Sequence, residues 1–400
     1  MDLPSATPMR ASRVLLLAGD VMTGRGIDQV LMHPAEPTLH EGFVKDARDY
    51  VRLAEAVNGP ITAPVAADYP WGDALAEMQR VAPDLRIVNL ETAITQGGTP
   101  WPGKGIHYRM HPANVDCLRA AQLDACALAN NHVLDWGCAG LVETLETLRL
   151  AGLRFAGAGP NSDAAWAPAR LPLPQRSLPI AAPPHDAPPS PPQPADAVLL
   201  FSVAVPSSGV PTPWAAGPAR AGVALLPDLS RSVALRLAAG IARQRRAGEL
   251  VVLSIHWGGN WGLDVPPAHR EFAHRLIDAG AVDIVHGHSS HHALPVERYG
   301  GKLILYGCGD LINDYEGIPQ PHGLRGDVGC LYFVKLRASD GHFDGLDIVP
   351  LQLRRLRLAR ADAKAHSWLD RVFRAGAAAG LGAQPVRQGE AWTLPPAGAR

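Results

Sequence analysis

The chain has 400 residues, 47% of them hydrophobic, and a formal net charge of −1. That length is ample for a large buried core, and the composition is that of an ordinary globular protein. A near-neutral balance offers no general attraction to nucleic acid or to an anionic membrane surface, so neither is expected as a partner.

The first dozen residues hold Pro4 and Pro8 and no basic segment followed by a leader-length apolar run. No apolar stretch reaches the roughly 20 residues of a membrane span. A soluble, cytoplasmic chain is the expectation. Five cysteines without a CxxC pair read as free, buried thiols.

In chain order, residues 14–18 form an apolar run ending on Gly19-Asp20, and 24–30 open a helix. Helical spacing follows over 47–56 and 71–81, then a run at 85–90 leads to Glu91. After the glycine-rich loop 97–105, a helix over 112–122 precedes an apolar run at 125–129 ending on Asn130-Asn131-His132. A further helix, 141–150, closes on Gly152, which suits a C-terminal cap.

The segment 168–194 carries 11 prolines. Each removes a backbone donor and fixes φ, so helix and inner strand are excluded and a surface insertion is expected. Strand patterning resumes over 197–205, and amphipathic helices are expected over 230–247 and 269–279. Between and after them, runs at 251–255, 282–285 and 303–306 end near His256, His286-Gly287-His288 and Gly309-Asp310. Residues 361–400 read as a C-terminal helix and loose tail, outside a main domain of 1–360. Strands alternating with helices define an α/β class.

Six apolar runs that each end on a potential metal ligand carry the chemistry. In open α/β sheets ligands bind beyond the carboxyl ends of the strands, so side chains delivered there converge on one site. Asp20 and Glu91 offer hard carboxylate oxygens, although a turn or a solvated strand end explains either one alone. Asn131 and His132 offer an amide oxygen and an imidazole, and Asp135 is placed to orient His132. His256 ends its strand beside Gly258 and Gly259. His286, His288, His291 and His292 put four imidazoles within seven residues. Asp310, Asn313, Asp314 and Glu316 form an acidic loop that either lines a pocket, supports the ligands or simply caps a helix. No GxSxG elbow, Walker loop or Rossmann fingerprint is present, which argues against acyl-serine, NTPase and dinucleotide chemistry.

Taken together, Gly19-Asp20-Val21-Met22, Asn89-Leu90-Glu91, Ala129-Asn130-Asn131-His132, His256-Trp257-Gly258 and Gly287-His288 with His291 resemble the bacterial capsule-synthesis CapA family. That family, PGA_cap, lies within the calcineurin-like metallophosphoesterases. The resemblance implies a four-layer α/β/β/α sandwich with two divalent ions (Mn, Fe, Zn or Mg) at the strand ends. Asp20 would serve the first ion, Glu91 would bridge, and Asn131 and His256 would serve the second. His288 and His291 would complete the set, with His286 as the alternative to His291, and His132 would be the proton donor. Met22 stands where the superfamily has a histidine.

The expected activity is phosphoester hydrolysis by a metal-activated hydroxide, on a small or polymeric anionic substrate. Arg25, Arg109, Asn260 and Asp310 are the candidate substrate contacts, the arginines as anion clamps. Two alternatives are a protein of poly-γ-glutamate synthesis, processing or binding, and a non-enzymatic, metal-stabilised interaction protein.

Overall fold

The computed structural model describes residues 12–174 and 196–396. The N-terminal residues 1–11 and most of the proline-rich insertion lie outside the described residues.

Two sheets carry the architecture. In the first, β1 (Ser12–Val21), β2 (Leu85–Leu90), β3 (Ala125–Ala127) and β4 (Arg154–Ala156) run parallel in that order. The second sheet begins with β5 (Ala169–Pro172), an edge strand antiparallel to β6 (Ala197–Ala204). β6, β7 (Leu250–His256), β8 (Ile284–His288) and β10 (Lys302–Leu305) are mutually parallel, and β9 (Val296–Tyr299) closes the far edge on β10.

The chain then returns to the first sheet. β11 (Asp310–Ile312) lies parallel beside the end of β1, and further back along the same edge of β1, away from β2, β12 (Val328–Arg337) pairs antiparallel with it and with β13 (Phe343–Leu353). β14 (Leu358–Arg360), β15 (Val386–Gln388) and β16 (Ala391–Leu394) finish that edge.

The period-two alternation of side chains sorts the apolar residues into layers. On β1, Leu15 and Leu17 face Val198, Leu200, Leu250 and Val252 of the second sheet, filling the space between the sheets. The alternate residues Val14, Leu16 and Ala18 pack against α1 (Arg25–Val30), α3 (Asp73–Val81) and α4 (Gly137–Leu150). On the opposite outer face, Leu199, Phe201, Leu253 and Ile255 meet α5 (Arg231–Gln244) and α6 (Pro267–Asp278). The result is the expected four-layer α/β/β/α sandwich. Strands buried on both faces explain why the sequence shows continuous apolar runs rather than alternation.

Four differences from the sequence reading have physical causes. Residues 169–172 pair as an edge strand, where Pro172 sits at the strand end and removes no inner ladder bond. The stretch 112–122 splits into a tight turn and the five-residue helix Asp116–Ala120. The C-terminal segment is no loose tail, because after α7 (Ala363–Ala378) the β15–β16 hairpin joins β13 and buries Trp392 and Leu394. Cys138 is exposed, while Cys117, Cys126, Cys308 and Cys330 are buried free thiols. No described helix is long and apolar enough to cross a membrane.

Leu17 lies wholly inside the layer between the sheets. Leu17→Ala should therefore lower the unfolding free energy by about 2–5 kcal/mol in urea denaturation.

Candidate metal centre

The parallel strands of both sheets end at one rim, and their last residues meet there. Asp20 stands next to the last residue of β1 and Glu91 follows β2, while His256 and His288 end β7 and β8 side by side in register. Gly19 makes this approach possible: a Cβ there would lie 1.7 Å from the Gly309 carbonyl oxygen. Asp20 N–H instead donates to that oxygen at 3.0 Å, and the β1–β11 register sets Asp20 beside Asp310.

Two trios of candidate ligand atoms result, each with its atoms within 4.8 Å of one another. Asp20, His256 and His288 form one; Asp20, His291 and Asp310 form the other. Asp20 belongs to both. Asn131 Oδ1 lies 3.1 Å from His256 Nε2, which adds an amide oxygen to the first trio. His291 Nδ1 lies 2.8 Å from Asp310 Oδ1, and Asn313 donates to the other Asp310 oxygen at 2.8 Å. A carboxylate on one ring nitrogen is the usual device for aiming the other nitrogen at an ion. Ser289, between His288 and His291, holds φ at +94° and points its N–H at Asp20 Oδ2, 3.3 Å away. Left-handed backbone at a non-glycine residue is strain that the surrounding contacts must offset.

The charges are far from solvated. Burial first, and Asp310 second, push the Asp20 carboxyl up to about 7. Burial and the neighbouring Asp20 raise Glu91 well above the usual carboxylate range. Burial lowers His256 and His288 well below the usual histidine range, so both rings are neutral, the form in which imidazole binds metal. Burial opposes charge on His291 too, but the Asp310 carboxylate outweighs it and raises that ring.

Asn89 Nδ2 bridges Asp20 Oδ1 at 2.7 Å and Glu91 Oε2 at 3.0 Å. Glu91 Oε1, by contrast, is buried and accepts no hydrogen bond from the described residues; it faces His132 Nε2 at 3.9 Å and His256 Nε2 at 4.0 Å. A bare carboxylate oxygen among neutral imidazoles and a second carboxylate is a donor set that fits a divalent cation.

His132 stands at the edge of this cluster. Its Nδ1 meets Asp135 Oδ2 at 2.7 Å and Lys104 Nζ at 3.0 Å, and Lys104 also donates to Asp135 at 2.5 Å. Burial first, then Lys104, lowers His132 to about 4. The adjacent Asn130 is structural: its Oδ1 accepts from the N–H groups of His132 and Val133, fixing the turn.

Several expected residues fall elsewhere. His286 shares a strand face with His288 but lies one rung deeper. Its Nε2 meets the Ala18 carbonyl at 2.9 Å and its Nδ1 meets Ser254 at 3.2 Å, so neither nitrogen turns to the cluster. Arg25 is no free anion clamp: it is buried in ion pairs with Asp314 and with Glu41, the latter at 2.8 Å. Arg109 donates to the Glu36 carbonyl and lies over the Trp136 ring at 3.8 Å. Asp310 sits with the ligand atoms rather than in a pocket wall, whereas Asn260 lines a cavity that reaches His291. Lys104 and Asn89 escaped the sequence reading. A lone lysine in a glycine-rich loop carries no motif, and the Asn in Asn-Leu-Glu was eclipsed by the acid beside it.

Residues 14–315 match the family model for the bacterial capsule synthesis protein PGA_cap. The chain belongs to the PGA_cap family. Within it, a probable polyglutamine synthesis accessory protein of Mycobacterium tuberculosis is 45% identical over 356 residues, spanning 89% of this chain and 88% of that one. The PGA biosynthesis protein CapA of Bacillus subtilis is 27% identical over 235 residues, 58% of this PGA_cap chain and 54% of its own. A phosphatase of known structure from Mycoplasma pneumoniae superposes with a TM-score of 0.44 at 12% identity, covering 90% and 98% of the two chains. That likeness is loose, and the sandwich assignment rests on the sheets themselves.

A carboxyl raised from the ordinary value of about 4 favours the fold only while it stays protonated. Asp20's share of stability is therefore complete below pH ~4 and is lost as pH rises through about 7. In chelator-containing buffer, wild type should lose more urea resistance between pH 5 and pH 7.5 than Asp20→Asn does. Added Mn²⁺ should restore the wild-type loss alone.

Proposed function

We propose that the protein is a divalent-metal-dependent hydrolase that serves the synthesis of a glutamate-derived polymer, with an oxyanion ester as its substrate. The observation that carries the chemistry is Glu91 Oε1, buried and unbonded between His132 and His256. The association with polymer synthesis comes from the M. tuberculosis and B. subtilis relatives, whose names describe polyglutamine synthesis and PGA biosynthesis.

Asp20, Asn131, His256 and His288 are the residues to hold one ion, and Asp20, His291 and Asp310 those to hold a second. Held by these residues, divalent ions would supply acidification of water and charge neutralisation on the ester oxygens. The protein's own contribution is orientation and proton handling. Asp310 and Asn313 fix the His291 ring, and Asn89 spaces Asp20 from Glu91. Asp135 and Lys104 both meet His132 at Nδ1, which leaves Nε2 as the ring atom that exchanges a proton with the reacting group.

A second reading keeps the centre but not the hydrolysis, with the ions gripping the carboxylates of a glutamate polymer. The relatives' names, which speak of polyglutamine synthesis and PGA biosynthesis and of no hydrolysis, favour this reading over the first. Elemental analysis together with a chromogenic phosphoester panel separates the two. On the hydrolase reading, Asn131→Ala and His256→Ala lose metal, while His132→Ala keeps it and loses about 10²–10⁴-fold in turnover. Metal retention with no turnover on any ester, and saturable binding of poly-γ-glutamate, would establish the second reading instead.

A further inference from the structure

Beside the candidate centre opens a cavity of about 590 Å³ that shares His291 with it. This is the size of a small-molecule site. Its lining is apolar and aromatic: Phe43, which is fully exposed, Ile106, Trp261, Tyr315 and Ile318. Trp261 and Tyr315 flank the His291 ring, with centroids 5.3 and 5.4 Å away, so the apolar wall runs directly up to a candidate ligand.

Among the described residues the one guanidinium in the lining is that of Arg25, which is held in ion pairs with two buried carboxylates. Its Nε and terminal nitrogens go to Asp314, Glu41 and the Tyr50 hydroxyl. With its guanidinium committed in this way, Arg25 offers the wall no free positive charge for an anion. An exposed phenylalanine facing an open cavity, next to an indole, is instead a surface that gains by covering apolar area.

We propose that this cavity binds an uncharged apolar or aromatic group of the substrate, joined to the oxyanion held at the His256–His291 cluster. Polymer carboxylates are thereby excluded from the cavity. Asn260 and Gln320, uncharged polar side chains in the lining, orient that group without adding charge. The inference rests on the preceding reading in one respect, that an oxyanion is held at the cluster.

The test is binding rather than turnover. Calorimetric titration of Mn²⁺-supplemented protein with phenylphosphonate and with methylphosphonate compares the same anion with and without an aromatic group. Burying the ring should tighten binding ~10-fold or more. Trp261→Ala and Phe43→Ala should remove most of that preference, with melting curves as the fold control. Val142→Ala, an exposed apolar residue on α4 outside the cavity, should keep it. Equal affinities, or no binding of either phosphonate, would overturn the proposal. Ester turnover without a phenyl preference would sink the cavity assignment and leave the hydrolase standing; a phenyl preference without turnover would do the reverse.

Discussion

Three carboxylates, Asp20, Glu91 and Asp310, are buried together at the rim of two sheets, and among the described residues no lysine or arginine forms an ion pair with them. Like charges at such depth repel strongly, and burial alone penalises each ionised form. Around them the architecture places imidazoles, those of His256 and His288 neutral, and amide groups rather than lysine or arginine. The nearest fixed positive charges, Arg25 and Lys104, are committed to Asp314, Glu41 and Asp135. Everything at the rim is consistent with a space prepared for a mobile cation instead of a side-chain one.

That preparation extends outward in layers. Asn313 holds Asp310, and Asp310 holds His291. Lys104 and the Tyr108 N–H hold Asp135, which holds His132. His291 and His132 are thus each aimed by a carboxylate, Asp310 from β11 and Asp135 from the same turn. Support of this kind makes a site stiff without making it apolar, and it leaves the adjoining cavity free to take its character from Trp261, Tyr315 and Phe43.

Much of this was legible from sequence because buried parallel strands write themselves as apolar runs, and the residue that ends each run falls at the rim where the candidate ligands gather. Asp20, Glu91, Asn131, His256 and His288 were found that way. The missing part depends on long-range neighbours. His286 and His288 share a face, so periodicity could not separate them; the Ala18 carbonyl, from the other sheet, excludes His286. Arg25 looked like an anion clamp until Asp314, 289 positions later, claimed it. Asp310 read as a pocket residue because nothing local reveals that its strand lies beside β1. The β12–β13 pair and the final hairpin passed unassigned, since β12 finds its partner in β1 at the other end of the chain and the hairpin in turn needs β13 in place.

The two ligand trios have one further property: each takes Asp20 from the first sheet and its imidazoles from the chain at the end of the second. A bound ion would therefore rivet the two slabs together at their open end. Their spacing elsewhere is kept by the stacked leucines and valines of the middle layer. Slippage in that greasy filling, even by a fraction of a bond length, would reach the rivet as a change in its grip.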